Sequence, residues 1–390
     1  MSILIPVSFP KAEEIAKKLP YSDGILLPGL CDPHVHFREP GQSYKETIES
    51  GSKAALHGGY TSVFTMPNLH PVPDSLEHLE EETELIKKEA KCSVYPYGAL
   101  TVGEKGKELA DLDALAPHVI AFSDDGKGVQ EKKMMKKAME EAKRLNKVVA
   151  LHCEVDALTK NGVIHESEFA LSHNLPAIPS SSEYEEVYRD ILLAKDTGVK
   201  LHICHISTKE SCEAVRQAKK DGIDVTCESA PHYLLLDDTM LKDDGSFKMK
   251  PPLADPSDRI ALLEGLKDGT IDMIATDHAP HSKEEKSKGL LSSSFGIVGL
   301  ETAFPLLYTY LVKEGVISLE KLIDLMSFAP RRRFSLPYKE GDCTLFDISS
   351  SYKIDSNDFF SLGRSTPFEG MEVYGQCLLT MVQGEAKWKK

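Results

Sequence analysis

Asp32-Pro33-His34-Val35-His36-Phe37-Arg38-Glu39-Pro40-Gly41 is the stretch that decides how the chain is read. The run before it, Gly24-Ile25-Leu26-Leu27-Pro28-Gly29-Leu30, reads as a buried strand. Side chains alternate between the faces of a strand, so His34 and His36 point the same way from its end. Two imidazoles on one face can ligate one metal ion, and imidazole suits zinc. A His-x-His pair also arises by chance on a solvated strand, so it needs support from elsewhere in the chain. Arg38 falls on the same face. A cation beside metal ligands is costly unless an anion comes between them, which points to an anionic substrate.

Downstream, apolar runs alternate with helical patterns. Strands are expected at 61–66, 92–100, 119–123, 147–152, 200–206, 224–228 and 271–275. Helices are expected at 44–57, 75–90, 132–145, 182–195, 209–220 and 257–266, then at about 298–313 and 318–327. With the strand before His34 this makes eight strands, most followed by helices. Such alternation implies a parallel α/β fold, and eight units imply a closed (β/α)8 TIM-type barrel. A doubly wound open sheet is the rival, and no Gly-x-Gly-x-x-Gly follows a strand to support its nucleotide-binding form. The domains expected are a barrel over 24–340, a C-terminal β-module over 341–390, and a short N-terminal segment, 1–23, packed on that module.

The chain has 390 residues, 41% hydrophobic and 27% charged, with a net charge of −15. That charge argues against nucleic acid as a partner, and it requires an anionic substrate to be drawn in by local charge. The eight cysteines form no Cys-x-x-Cys pair, which favours reduced thiols in the cytoplasm. Cys31, Cys153 and Cys204 lie near the histidines and read as packing residues. The first residues lack a signal-peptide pattern, and no run is long enough to span a membrane.

The polar residues gather at the carboxyl ends of the expected strands: His34 and His36, then Asp124 and Asp125, His152, His202 and His205, and Asp277. In a barrel these ends converge on one face, where active sites lie. Four histidines with one or two aspartates exceed the needs of one catalytic zinc, which typically takes three protein ligands. Two metals suit the set better. An Asp beside them is placed to accept a proton from water.

The stretch 32–41, together with Ala275-Thr276-Asp277-His278-Ala279-Pro280-His281 and Lys286 beyond it, resembles the two signatures of the dihydroorotase family, within the amidohydrolase superfamily. Thr65-Met66-Pro67-Asn68, Phe122-Ser123-Asp124-Asp125-Gly126, His205-Ile206-Ser207-Thr208 and 295–302 are similar to its bacterial, class I branch. The resemblance implies a zinc-dependent cyclic amide hydrolase of the pyrimidine (UMP) pathway. It would interconvert N-carbamoyl-L-aspartate and L-dihydroorotate by a binuclear zinc-hydroxide mechanism with two Zn2+ per chain. It also implies the roles. His34 and His36 would bind one zinc, and His152 and His205 the second. Asp125, preferred over Asp124 by its register to His152, would bridge them. Asp277 would bind the first zinc and shuttle the proton. Arg38, Asn68 and His281 would hold the substrate carboxylate. The backbone at Phe295 and Gly296 would contact the ring, and His36 and Phe37 would complete the substrate site. Glu154, His202, His232 and His278 would be structural. The assemblies it suggests are a homodimer or an association with aspartate carbamoyltransferase.

Two departures stand out. Many bacterial relatives carry Asn where this chain has Lys250, whose ammonium can still donate to a substrate oxygen. Only 33 residues precede His34, so the β-module is expected to be reduced. The rival activities are those of a hydantoinase or allantoinase, whose hydantoin-type substrate lacks the carboxylate that Arg38 would bind, and an inactive homologue that scaffolds a partner enzyme.

Overall fold

The apolar run ahead of His34 divides into two strands that serve different sheets. In this computed structural model, which describes residues 3–390, Ile25–Pro28 (β1) pairs antiparallel with Cys343–Lys353, whereas Leu30–Val35 (β2) enters the barrel. The single strand expected from 24 to His36 is therefore two, of which 30–35 is the first barrel strand. Gly29 makes the division. Its N–H bonds to the Asp342 carbonyl at 3.0 Å, and a Cβ there would stand 2.3 Å from the Thr61 side chain. An apolar run is buried by either sheet, so its hydrophobicity does not reveal which one it joins.

β2 pairs in parallel with Tyr60–Thr65 (β3), which pairs with Ser93–Pro96 (β4). The chain continues through Gly98–Ala99 (β5) to Phe122–Ser123 (β6) and Val148–Leu151 (β7). A two-stranded excursion, Ile164–His165 (β8) with Ala177–Ile178 (β9), follows. Lys200–Ile203 (β10), Val225–Ser229 (β11) and Met273–Ile274 (β12) complete the ring. Counting β4 and β5 as one bent strand leaves eight parallel strands. The barrel closes where His278, just past β12, bridges Val35, and the His36 N–H donates to the His278 carbonyl at 2.8 Å.

The outer helices follow the expected amphipathic spacing. Lys132–Arg144 buries Met135, Ala138, Met139 and Ala142, one face at steps of three and four. Inside the barrel, Cys31, Phe64, Met66, Tyr97, Ala150, Cys204 and Met273 pack with Phe334, whose ring lies 5.1 Å from Phe64 and 5.4 Å from His202. This plug makes the barrel a filled core, not a pore. The last helices differ from expectation. The first begins at Ala303 and ends in a π-helical turn, 308–312, whereas the second carries its π turn, 324–328, in its middle and runs on through Ala329–Arg333.

Cys343–Lys353 (β13), Glu372–Val382 (β14) and Glu385–Lys389 (β15) join β1 in a four-stranded sheet ordered β1-β13-β14-β15. Phe9 and Ala12 pack on Leu26, Leu345 and Leu379, so the N-terminal segment adheres to this sheet. β1 thus joins the module although it lies inside the segment assigned to the barrel. All eight cysteines are free and buried. Among the described residues no helix is long and apolar enough to cross a membrane.

Candidate active site

Most of the site's polar residues lie at or just past the carboxyl ends of the barrel strands. The bends there are tight: Arg38, His205 and Asp277 all have positive φ, at 60°, 31° and 47°. Non-glycine residues in this region cost about 1–3 kcal/mol each, and such strain gathers at functional sites. Asp32 offsets part of it. Its carboxylate accepts from the His34 N–H at 3.1 Å and from the Thr276 hydroxyl at 2.6 Å, which staples the end of β2 to the end of β12.

These bends bring His34, His36, His205, Asp125 and Asp277 together. His36 Nε2 lies 3.2 Å from Asp277 Oδ1 and 3.6 Å from Asp125 Oδ2. His34 Nε2 lies 3.5 Å from both Asp125 Oδ1 and Asp277 Oδ1. His152 joins through its ring, whose Nδ1 is 3.1 Å from His205 Nε2. Burial alone would raise the Asp125 and Asp277 carboxyls. The surrounding imidazoles outweigh it and hold both well below the usual carboxylate range. Asp124 faces elsewhere, its carboxylate accepting from the backbone of Leu100 and Thr101 and from the Thr101 hydroxyl.

The cluster has the donors a metal needs. His34 Nε2, His36 Nδ1, His152 Nε2, His205 Nδ1 and Asp125 Oδ1 are buried without a hydrogen-bond partner. Polar atoms so deeply buried are normally paired. His34, Asp125 and His205 can place one ligand atom each within 4.8 Å of one another, and so can His34, His36 and Asp277. Imidazole nitrogens and carboxylate oxygens form a donor set that fits zinc.

Beside the cluster a cavity of about 340 Å³ is lined by Arg38, Asn68, Lys250, His281, Phe295 and Gly296, among others. Arg38 is 9% exposed, and among the described residues its guanidinium donates to the Pro280 carbonyl, at 3.3 Å, and meets His281 Nε2 at 3.5 Å. Burial, then the Arg38 and Lys45 cations, push His281 down to about 3, so it is neutral at physiological pH. Asn68 donates to Glu104 Oε1 at 3.3 Å, and its Oδ1 is unpartnered. Lys250 Nζ sits 2.5 Å from Glu154 Oε1 at the cavity wall, and Glu154 reaches His152 at 3.9 Å. Phe37 is the exception. Its side chain is in the core against Gly51, where a Cβ would stand 2.4 Å from the ring, so it turns away from the cavity.

Sequence reasoning missed the acids behind the cluster. Glu228, on β11, accepts from His34 Nδ1 at 3.0 Å and contacts His202 Nε2 at 3.1 Å. With Nδ1–H donated to Glu228, His34 presents Nε2 to the cluster. A glutamate inside the apolar strand Val-Thr-Cys-Glu-Ser was the available signal. Asp32 was legible too, since it lies two residues before His34 on the same face. Glu228→Gln is expected to weaken metal binding about 10- to 100-fold, measured by competition with a chelator.

The barrel and its similarity to solved and curated proteins together define a class, the amidohydrolase-type hydrolases of cyclic amides. A solved L-hydantoinase (dihydropyrimidinase) from Arthrobacter aurescens superposes with a TM-score of 0.84 at 25% identity, covering 95% of this chain and 88% of that one. A D-hydantoinase from a Thermus species gives 0.82 at 25% identity, covering 96% and 89%. The family model for dihydro-orotase-like proteins matches residues 23–211. A dihydroorotase of Bacillus licheniformis is 48% identical over 378 residues, 95% of this chain and 88% of the relative, and one of Bacillus cereus is 47% identical over 383, 96% and 90%. The chain belongs to the dihydroorotase family.

Proposed function

We infer that the protein is a dihydroorotase that interconverts L-dihydroorotate and N-carbamoyl-L-aspartate in pyrimidine synthesis. The observation that carries this reading is Arg38, a buried cation with no ion pair among the described residues, facing a cavity beside a histidine–aspartate cluster. A hydantoin ring offers nothing to neutralise it. Dihydroorotate offers a carboxylate, which a guanidinium can hold through two charge-assisted hydrogen bonds.

The proposed ligand set is His34, His36 and Asp277 for one zinc and His152 and His205 for a second, with Asp125 between. Zinc bound there supplies a Lewis acid for the amide carbonyl and lowers the pKa of water. The chain's own residues do the rest. Arg38 fixes the substrate carboxylate, with Asn68 and His281 beside it in the cavity wall, and thereby aims the ring amide at the cluster. The backbone of Phe295 and Gly296 holds the ring's polar edge. Asp277, ionised at neutral pH, takes the proton of the attacking water and delivers it to the ring nitrogen as the C–N bond breaks. Ring closure uses the same residues in reverse. Lys250 adds a cation at the cavity wall. The pathway and the reduced cysteines support a cytoplasmic setting.

Two zinc ions per chain are expected at full activity. Chelator-stripped protein titrated with zinc should regain dihydroorotate hydrolysis in step with a bound-metal content rising to two. Full activity at one metal or none would refute the binuclear assignment.

A further inference from the structure

Past His281, the chain leaves the catalytic cavity and returns to it at Phe295. A buried ammonium lies in the middle of that loop. Lys286 ends a short helix, Lys283–Lys286, and is 7% exposed. Its Nζ donates to the Lys248 carbonyl at 2.9 Å and to the Ser294 carbonyl at 2.7 Å. The same Lys248 carbonyl accepts the Gly296 N–H at 3.0 Å. The residue between, Phe295, receives His281 Nε2 on its carbonyl at 2.7 Å. Two more ammonium groups flank the Phe295 ring, Lys248 at 4.6 Å and Lys250 at 5.4 Å from its centroid. Gly245 fits closely beneath, since a Cβ there would stand 2.1 Å from the Lys286 carbonyl.

Burial, then the neighbouring Lys248, lowers the Lys286 pKa to about 7, a cost that an apolar side chain would avoid. What the ammonium provides is a bond to two backbone segments at once. One segment carries Lys250, and the other carries Phe295 and Gly296. All three line the catalytic cavity.

We propose that Lys286 is a positioning residue for substrate: by tying the Ser294 carbonyl to the Lys248 carbonyl, it sets the Phe295–Gly296 backbone and, through the Phe295 carbonyl, the His281 ring. This rests on the functional reading above. Lys286 touches neither the metal cluster nor the scissile amide. Its loss therefore weakens substrate binding more than it slows the chemical step.

The test compares zinc-loaded wild type, Lys286→Met and Gly245→Ala, the last of which presses on the loop at the Lys286 carbonyl. Both variants should raise KM for dihydroorotate at least tenfold, keep kcat within threefold, and retain wild-type metal content. Hydrogen exchange should quicken at least tenfold in 282–296 and 245–250 alone. An unchanged KM, a fall in kcat without a rise in KM, or loss of metal overturns the proposal. If Lys286→Met does not fold, Gly245→Ala decides by the same criteria. If wild type fails to hydrolyse dihydroorotate, the functional reading fails, and the exchange pattern still decides whether Lys286 ties the two segments.

Discussion

Asp277→Asn is expected to lower kcat for dihydroorotate by about 10³- to 10⁴-fold, the upper part of the range for losing a positioned general base. The carboxylate lies 3.2 Å from His36 and 3.5 Å from His34, on a backbone with φ of 47° that aims it into the cluster. Asparagine keeps the shape, one oxygen ligand and tolerance of positive φ, but it cannot accept the proton of water. Metal content at saturating zinc should therefore hold while turnover collapses. The check is elemental analysis and steady-state kinetics on the same preparation. A variant that loses metal in proportion to activity would make Asp277 a ligand only.

Arg38→Met comes next in size. The guanidinium is buried with a carbonyl and a neutral imidazole for company. Removing one partner of a buried charge pair costs about 3–5 kcal/mol, so kcat/KM for dihydroorotate should fall on the order of a hundredfold or more. Dihydrouracil, the same ring without the carboxylate, should be affected little, and metal content not at all. Equal damage to both substrates would make Arg38 a structural residue and remove the argument for an acidic substrate. Competitive inhibition by carboxylated and uncarboxylated ring analogues gives the same contrast where dihydrouracil turns over too slowly.

The barrel was legible because strand and helix periods alternate along the chain, and because the chemistry-bearing residues recur at strand ends. Helices such as Lys132–Arg144 and Lys209–Lys220 lie almost where their patterns end. The first strand was read as one run for a physical reason. Residues 25–28 and 30–35 are equally buried, and only the turn at Gly29, set by contacts with Thr61 and Asp342, assigns one to each sheet. Ring closure through His278 was equally hidden, since an isolated bridge leaves no periodicity.

At the site, the histidines and Asp277 stand out in sequence because they interrupt apolar strands. Asp124 and Asp125 could be told apart only by register. In the fold, Thr101 and two backbone N–H groups occupy Asp124, while Asp125 faces the imidazoles. Glu228 and Lys286 act through partners distant in the chain, His34 and the Lys248 carbonyl, so sequence spacing carries no trace of those contacts. Phe37, adjacent to His36, has its side chain on the opposite face and packs in the core.

The central claim is that a carboxylated cyclic amide is the substrate of this cluster. Its most direct test is the kcat/KM of the zinc-loaded wild-type protein for dihydroorotate, dihydrouracil, hydantoin and allantoin, measured side by side. The account predicts that dihydroorotate leads each of the others by about a hundredfold or more, the share assigned to the carboxylate on Arg38. Hydantoin or allantoin turned over as well as dihydroorotate would contradict it.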